Sequence, residues 1–287
     1  NMDKIILGDN QFFAVNHLSD ERSRQQSVRF KHNQSIIDVL DIAMSCGVNT
    51  FMCTTYERIG QICEYMRQFP DKYANFIFYP CMPYAHKYAN AVTELGIAGT
   101  LKAYLPGNIF SVATKAGIAY MRKDFATLME LLVDSEMKMF NGFKTPVVFL
   151  QNVVTDLLMG IGMRDILVHF AEYVRSKYNA EPGFITMNMP RLVDLCIEEG
   201  INNPIICSSI NKIGFRMSES IEKYEQYLKS DKDFRPIAMQ CLAAGALKPQ
   251  EAMEYVCQFS KIESILFGAS SRAHIQQNCD LINQLKR

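Results

Sequence analysis

Three residues in the first fifth of the chain are of types that move protons: Asp9, His17 and Tyr56. Asp9 follows the apolar run Lys4-Ile-Ile-Leu-Gly8, so it is the carboxylate that a strand end delivers. A carboxylate, an imidazole and a phenol at one mouth would suffice for general acid–base chemistry. Neutral amides follow other apolar runs: Asn10 and Gln11 after the first, Gln151 and Asn152 after Val147-Val-Phe-Leu150, and Asn211 after Ile205-Ile-Cys-Ser-Ser209. Amides hold a ligand's hydroxyl and carbonyl groups in place without exchanging protons at useful rates, so these five are the substrate-positioning candidates. Cys53 and Cys81 have no adjacent base and read as small buried hydrophobes. Near the end, an apolar run stops at Gly268, Ser270 and Ser271 follow, and a helical pattern opens at Arg272. A strand running straight into a helix leaves unpaired N–H groups and partial positive charge at the junction, which suits an anion.

The elements that must position these residues follow a simple alternation. Strands are expected within residues 4–13, 48–55, 75–82, 146–152, 183–188, 204–209, 236–242 and 262–268. Helical spacing covers 34–46, 59–68, 86–104, 110–140, 165–178, 190–199, 218–228, 249–259 and 272–285. Residues 14–33 read as a long polar loop. The strands are nearly continuous in apolar character, as buried parallel strands are when helices cover them. Eight strand–helix units imply an α/β fold, a TIM (β/α)8 barrel with extra helices between strands 3 and 4. Residues 1–287 would form a single domain, with 86–140 as a helical insertion serving as extra packing, a lid or a homo-oligomer surface. A doubly wound sheet is the competing architecture, but the first strand lacks a G-x-G-x-x-G turn.

Composition narrows the partners. Thirty basic residues balance thirty acidic ones, without the basic footprint of a nucleic-acid binder. No apolar run is long enough for a membrane span, and no stretch has the pattern of a signal peptide. The nine cysteines are odd in number and form no C-x-x-C pair, which reads as free thiols in a reducing cytoplasm. The five histidines show no ligand spacing, so no metal is expected. A polar small molecule is the expected partner.

Four stretches then share an order. Gly183-Phe-Ile-Thr-Met-Asn188 precedes a helix, and Pro204-Ile-Ile-Cys-Ser-Ser-Ile-Asn211 follows it. Leu242-Ala-Ala-Gly-Ala-Leu247 and Gly268-Ala-Ser-Ser271 come next, with Asn278 in the last helix. Together they resemble the aldo-keto reductase superfamily over roughly residues 180–280, and Leu7-Gly8 with Phe12-Phe13 is similar to the family's opening strand. The resemblance implies NADP or NAD as cofactor. It also implies a binding set of Asn188, Gln240, Leu242, Gly245, Ser270, Ser271, Arg272 and Asn278. The family's Asp, Tyr, Lys and His are not matched, because Met52 stands where the Asp belongs and Tyr56 falls one residue early. Phe78-Tyr-Pro-Cys-Met82 offers no Lys, and Phe149-Leu-Gln-Asn152 carries amides in place of the His. Three readings remain open: an NAD(P)-linked oxidoreductase with non-standard catalytic residues, a cofactor-independent lyase or isomerase using Asp9 or His17 as base, and a non-catalytic ligand-binding barrel.

Overall fold

The computed structural model describes residues 2–13, 20–84 and 125–286. Within them the strands are β1 (Ile5–Leu7), β2 (Thr50–Thr54), β3 (Ile77–Met82), β4 (Val147–Leu150), β5 (Glu181–Ile185), β6 (Ile205–Ser209), β7 (Arg235–Met239) and β8 (Ser264–Phe267). They pair in chain order, all parallel, and close into a barrel. The seam is β1 against β8, in the register Ile5↔Ile265, Ile6↔Leu266 and Leu7↔Phe267. This is a TIM barrel, as expected.

Side chains alternate across each strand, so one set fills the barrel and the other meets the helices. Ile6, Met52, Tyr79, Cys81, Val147, Phe149, Ile185, Ile205, Cys207 and Ile237 form the interior cluster. Their neighbours Leu7, Phe51, Phe78, Leu150, Phe184 and Ile206 belong to the larger core under the helices. That is why the strands read as unbroken apolar runs. Residue size inside the barrel is matched across strands: Phe149 pairs in register with Gly183. A Cβ on Gly183 would lie 2.4 Å from the Phe149 ring.

The helices are α1 (Asp20–Arg29), α2 (Asn33–Ser45), α3 (Glu57–Met66), α4 (Phe125–Met137), α5 (Asn152–Ile161), α6 (Arg164–Tyr178), α7 (Met189–Glu198), α8 (Ile221–Leu228), α9 (Pro249–Cys257) and α10 (Arg272–Leu285). Two differ from the sequence reading. α1 lies inside the stretch read as a loop, because it is polar apart from an exposed Val28 and shows no apolar stripe. Its local support is electrostatic: Asp20 and Glu21 open it and Arg29 closes it, each favourable to the helix dipole. α5 was not expected, and Asn152, placed at a strand end, is its first residue. Its exposed Val153, Leu157 and Ile161 blur the period set by buried Thr155, Leu158 and Met159. A smaller shift concerns α8, which is capped by Ser220 rather than Ser218. Between β3 and β4, α4 and the 3-10 turn Lys138–Phe140 occupy the end of the expected insertion, while 86–104 and 110–124 lie outside the described residues. None of the described helices is long and apolar enough to cross a membrane.

The Phe149–Gly183 match yields a test. Gly183→Ala should lower unfolding free energy by about 2–3 kcal/mol, the cost of overpacking a filled interior. Adding Phe149→Leu should restore part of it, measured as a double-mutant cycle in denaturant. Additive losses would show that the two positions do not share one volume.

Candidate active site

All strands run the same way, so their C-terminal ends converge on one mouth. There, strand ends and the loops after them line a cavity of about 520 Å³. Asp9, just past β1, borders it. The residue is only part-buried at the cavity edge, yet its carboxyl is enclosed by protein. Burial pushes that carboxyl up to about 6, against the opposing pull of the Thr54 and Asp9 backbone N–H groups. The Thr54 N–H donates to Asp9 Oδ2 at 2.8 Å. A carboxyl with that affinity both gives and takes protons near neutral pH.

A small network fixes the neighbourhood. The Gln151 amide donates to the Thr54 hydroxyl at 2.9 Å and to the Cys81 carbonyl at 3.3 Å, tying together the ends of β2, β3 and β4. Burial, with Asp9's charge second, holds the Cys53 and Cys81 thiols well above their ordinary values, so both stay protonated and inert. Tyr56 packs between the rings of Phe13 and Tyr84, at centroid distances of 4.4 and 4.6 Å. Burial first, and Asp9's charge second, push its phenol up to about 12. A lysine neighbour would act in the opposite direction.

The other sequence-derived candidates divide by position. Asn10, Gln11, Gln151, Asn152, Gln240, Leu242 and Gly245 line the cavity with Asp9. Asn188 is spent as the cap of α7, accepting from the Arg191 N–H at 3.2 Å. Asn211 is fully buried and spent on backbone: its Nδ2 donates to the Phe215 carbonyl and its Oδ1 accepts the Phe215 N–H, both at 2.8 Å. Ser271 caps α10, accepting from the His274 N–H. Arg272 turns away to the end of α2, donating to Ser45 Oγ at 2.8 Å. Asn278 is nearly buried on the inner face of α10 beside Ile275 and Cys279. His17 lies outside the described residues.

Several residues that complete the site carry no signal in the sequence. α1 brings Arg29 to the β8–α10 junction, where it donates to Ser270 Oγ at 2.8 Å and to the Ser270 carbonyl at 3.2 Å. The cation there is therefore Arg29, 241 positions away from the serine it meets. α1 also sends Gln26 into the cavity lining. Gln26 Oε1 and Gln11 Oε1 are both buried without a partner among the described residues. The Gln11 amide orientation is fixed, since its Nε2 donates to the carbonyls of Gly8 (2.7 Å) and Ala269 (3.3 Å). Its oxygen faces Gly268, where a Cβ would come within 2.8 Å. Two buried, orphaned acceptors on one cavity need donors, and a ligand's O–H or N–H groups would supply them. Backbone strain gathers at the same rim: Gln240, Ala243 and Ala244 all have left-handed φ, between 51° and 54°.

The fold resembles those of aldo-keto reductases. An aldo-keto reductase from a Medee basin deep-sea metagenome library superposes with a TM-score of 0.56 and 10% identity, covering 100% of this chain and 92% of that one. A Pseudomonas aeruginosa protein described as an aldo-keto reductase gives 0.57 and 11%, covering 98% and 90%. The aldose reductase of Schistosoma japonicum gives 0.54 and 9%, covering 99% and 88%. At such identities the likeness is one of fold. No protein-family model matches the sequence, and no curated protein does.

The carboxyl of Asp9 sets a pH signature of stability. Its affinity for protons is higher folded than unfolded, so the folded chain loses stability as pH rises from about 4 through about 6. Asp9→Asn removes the charge and keeps an acceptor for the Thr54 N–H. The variant should match wild type below pH 4 and be more stable above pH 6, by about 3 kcal/mol. Thermal melts across that range decide it, and an equal or less stable variant at neutral pH would contradict the burial argument.

Proposed function

We propose that this barrel is an oxidoreductase that exchanges hydride between NADP or NAD and a polar carbonyl compound, with Asp9 as its proton carrier. The observation behind the proposal is the Asp9 carboxyl, raised to about 6 at the edge of the cavity where the strand ends converge. Reduction of a carbonyl needs one proton delivered to the oxygen, and the reverse reaction needs it taken back. Asp9 has the affinity for both roles near neutrality, whereas Tyr56, at about 12, is a poor partner for either.

The residues present suit a dinucleotide at its phosphate end. Arg29 sits against Ser270 beside the N-terminus of α10, which adds unpaired N–H groups to a fixed cation. The orphaned oxygen of Gln11, over the space that Gly268 leaves, is an acceptor free for an amide N–H or a hydroxyl. When bound, the cofactor would supply the hydride. The chain's own share is to orient the ligands through the amides of Gln11, Gln151 and Gln240, to hold Thr54 against Asp9, and to move the proton at Asp9 Oδ1 or Oδ2.

Titration with NADPH and NADH, followed by thermal shift, tests the cofactor. Saturable stabilisation by one of them is expected, and no response at millimolar nucleotide would remove the redox reading. With a carbonyl substrate, reduction should be fastest below about pH 6 and fall about tenfold per pH unit above it, while alcohol oxidation should rise to a plateau there. Asp9→Asn should lower kcat by about a hundredfold or more with nucleotide affinity kept. Unchanged kcat would assign the proton to another group.

A further inference from the structure

Asp9 is not the only charged residue on the cavity. Arg216 lines it too, and among the described residues these are the two charged side chains in its lining. They stand far apart around the ring, Asp9 after β1 and Arg216 in the loop after β6, with β7 and β8 between them on the shorter path. Arg216 is exposed toward the mouth and forms no ion pair with any described residue.

The loop is built to present it. Arg216 has φ 55°, in the left-handed region that side-chain-bearing residues avoid, and Gly214 shares that region at φ 78°. The buried amide of Asn211 grips both backbone groups of Phe215 at 2.8 Å and reaches the Gln240 carbonyl at 3.3 Å. On the far side, the Ser218 N–H donates to the Met187 carbonyl at 3.1 Å. Residue 215 is thus held from inside the barrel and 218 from the neighbouring strand end, and the left-handed turn at 216 carries the chain between them. The guanidinium lies over the Phe215 ring, 5.6 Å from its centroid. Met187, Met239 and Leu242 give the same cavity apolar wall. A strained backbone, a buried clamp and an unpaired guanidinium on a cavity wall together describe a place for an anion.

We propose that the substrate carries a carboxylate, which Arg216 binds while the substrate's carbonyl is turned toward Asp9. The spacing around the ring keeps the incoming carboxylate away from Asp9, whose own charge would oppose it. The word substrate rests on the oxidoreductase reading above, but binding of the carboxylate does not require turnover.

The test uses 4-formylbenzoate, whose carbonyl and carboxylate stand at opposite ends of an aromatic ring, and its methyl ester, which lacks the charge and adds one methyl group. Dissociation constants at neutral pH are measured by ligand-observed NMR on the full chain, on Arg216→Gln and on Arg216→Lys. Wild type should prefer the acid by about tenfold. Arg216→Gln should lose that preference with ester binding unchanged, which also shows that the variant is folded. Arg216→Lys should keep part of it, and high salt should weaken the acid alone. Equal binding of acid and ester by wild type, or a preference that survives in Arg216→Gln, would overturn the proposal. So would a matching loss of NADPH affinity in Arg216→Gln, because the guanidinium would then serve the nucleotide. A carboxylate preference that depends on Arg216 in a chain that binds no nucleotide supports the anion site and counts against the redox reading alone.

Discussion

The first strand is three residues long, yet it is hydrogen-bonded on both flanks, to β2 and to β8, and that double pairing turns eight parallel strands into a ring. A closed ring has no edge strands, and its strand ends all open on the same side. Closure at β1 also brings Gly8 against β8, where its N–H donates to the Phe267 carbonyl at 2.9 Å. Asp9 comes next in the chain and so is carried to the join between β1, β2 and β8. An open sheet would leave it at an edge, in water, with an ordinary carboxylate's affinity. The ring therefore makes the acid: it supplies the desolvation that raises Asp9 and the Thr54 N–H that keeps it aligned.

The same geometry explains why the barrel can lack the four catalytic residues of the family it resembles and still hold a proton-transfer group. Met52 points into the filled interior, and the Gln151 amide bridges the ends of three strands. Neither can titrate. In the proposed reading the proton-active group stands one strand back, at the end of β1 in place of the end of β2, and it is tuned by burial and not by a neighbouring lysine. Tyr56 is driven the other way from neutrality, by burial first and by the charge of Asp9 second.

Much of the fold was legible because its signals are local. Apolar runs marked all eight strands, several of them ended by Gly, Pro or Asn, and the hydroxyl pair before Arg272 marked the start of α10. Asp9, Gln11 and Gln151 were found because a strand end in a barrel has only one place to go. What escaped was set by distance or by the lack of an apolar face. α1 is stabilised by charge at its ends and by what it meets, so nothing in its own residues announced Arg29 or Gln26. Arg216 reads as an ordinary loop arginine until the Asn211 clamp and the left-handed turn are seen. Conversely, Asn188, Asn211 and Arg272 looked like ligand groups, and the structure commits them to backbone or to Ser45. A polar side chain past a strand end satisfies a loop as readily as it greets a substrate.

The proposed chemistry rests on the proton affinity of one carboxyl. A carboxyl-carbon NMR titration of the full chain, with the Asp9 resonance assigned by its loss in Asp9→Asn, measures it directly. A midpoint at about 6 is predicted, and a midpoint near 3.8, the ordinary value, would contradict the claim that the closed barrel turns Asp9 into an acid–base group.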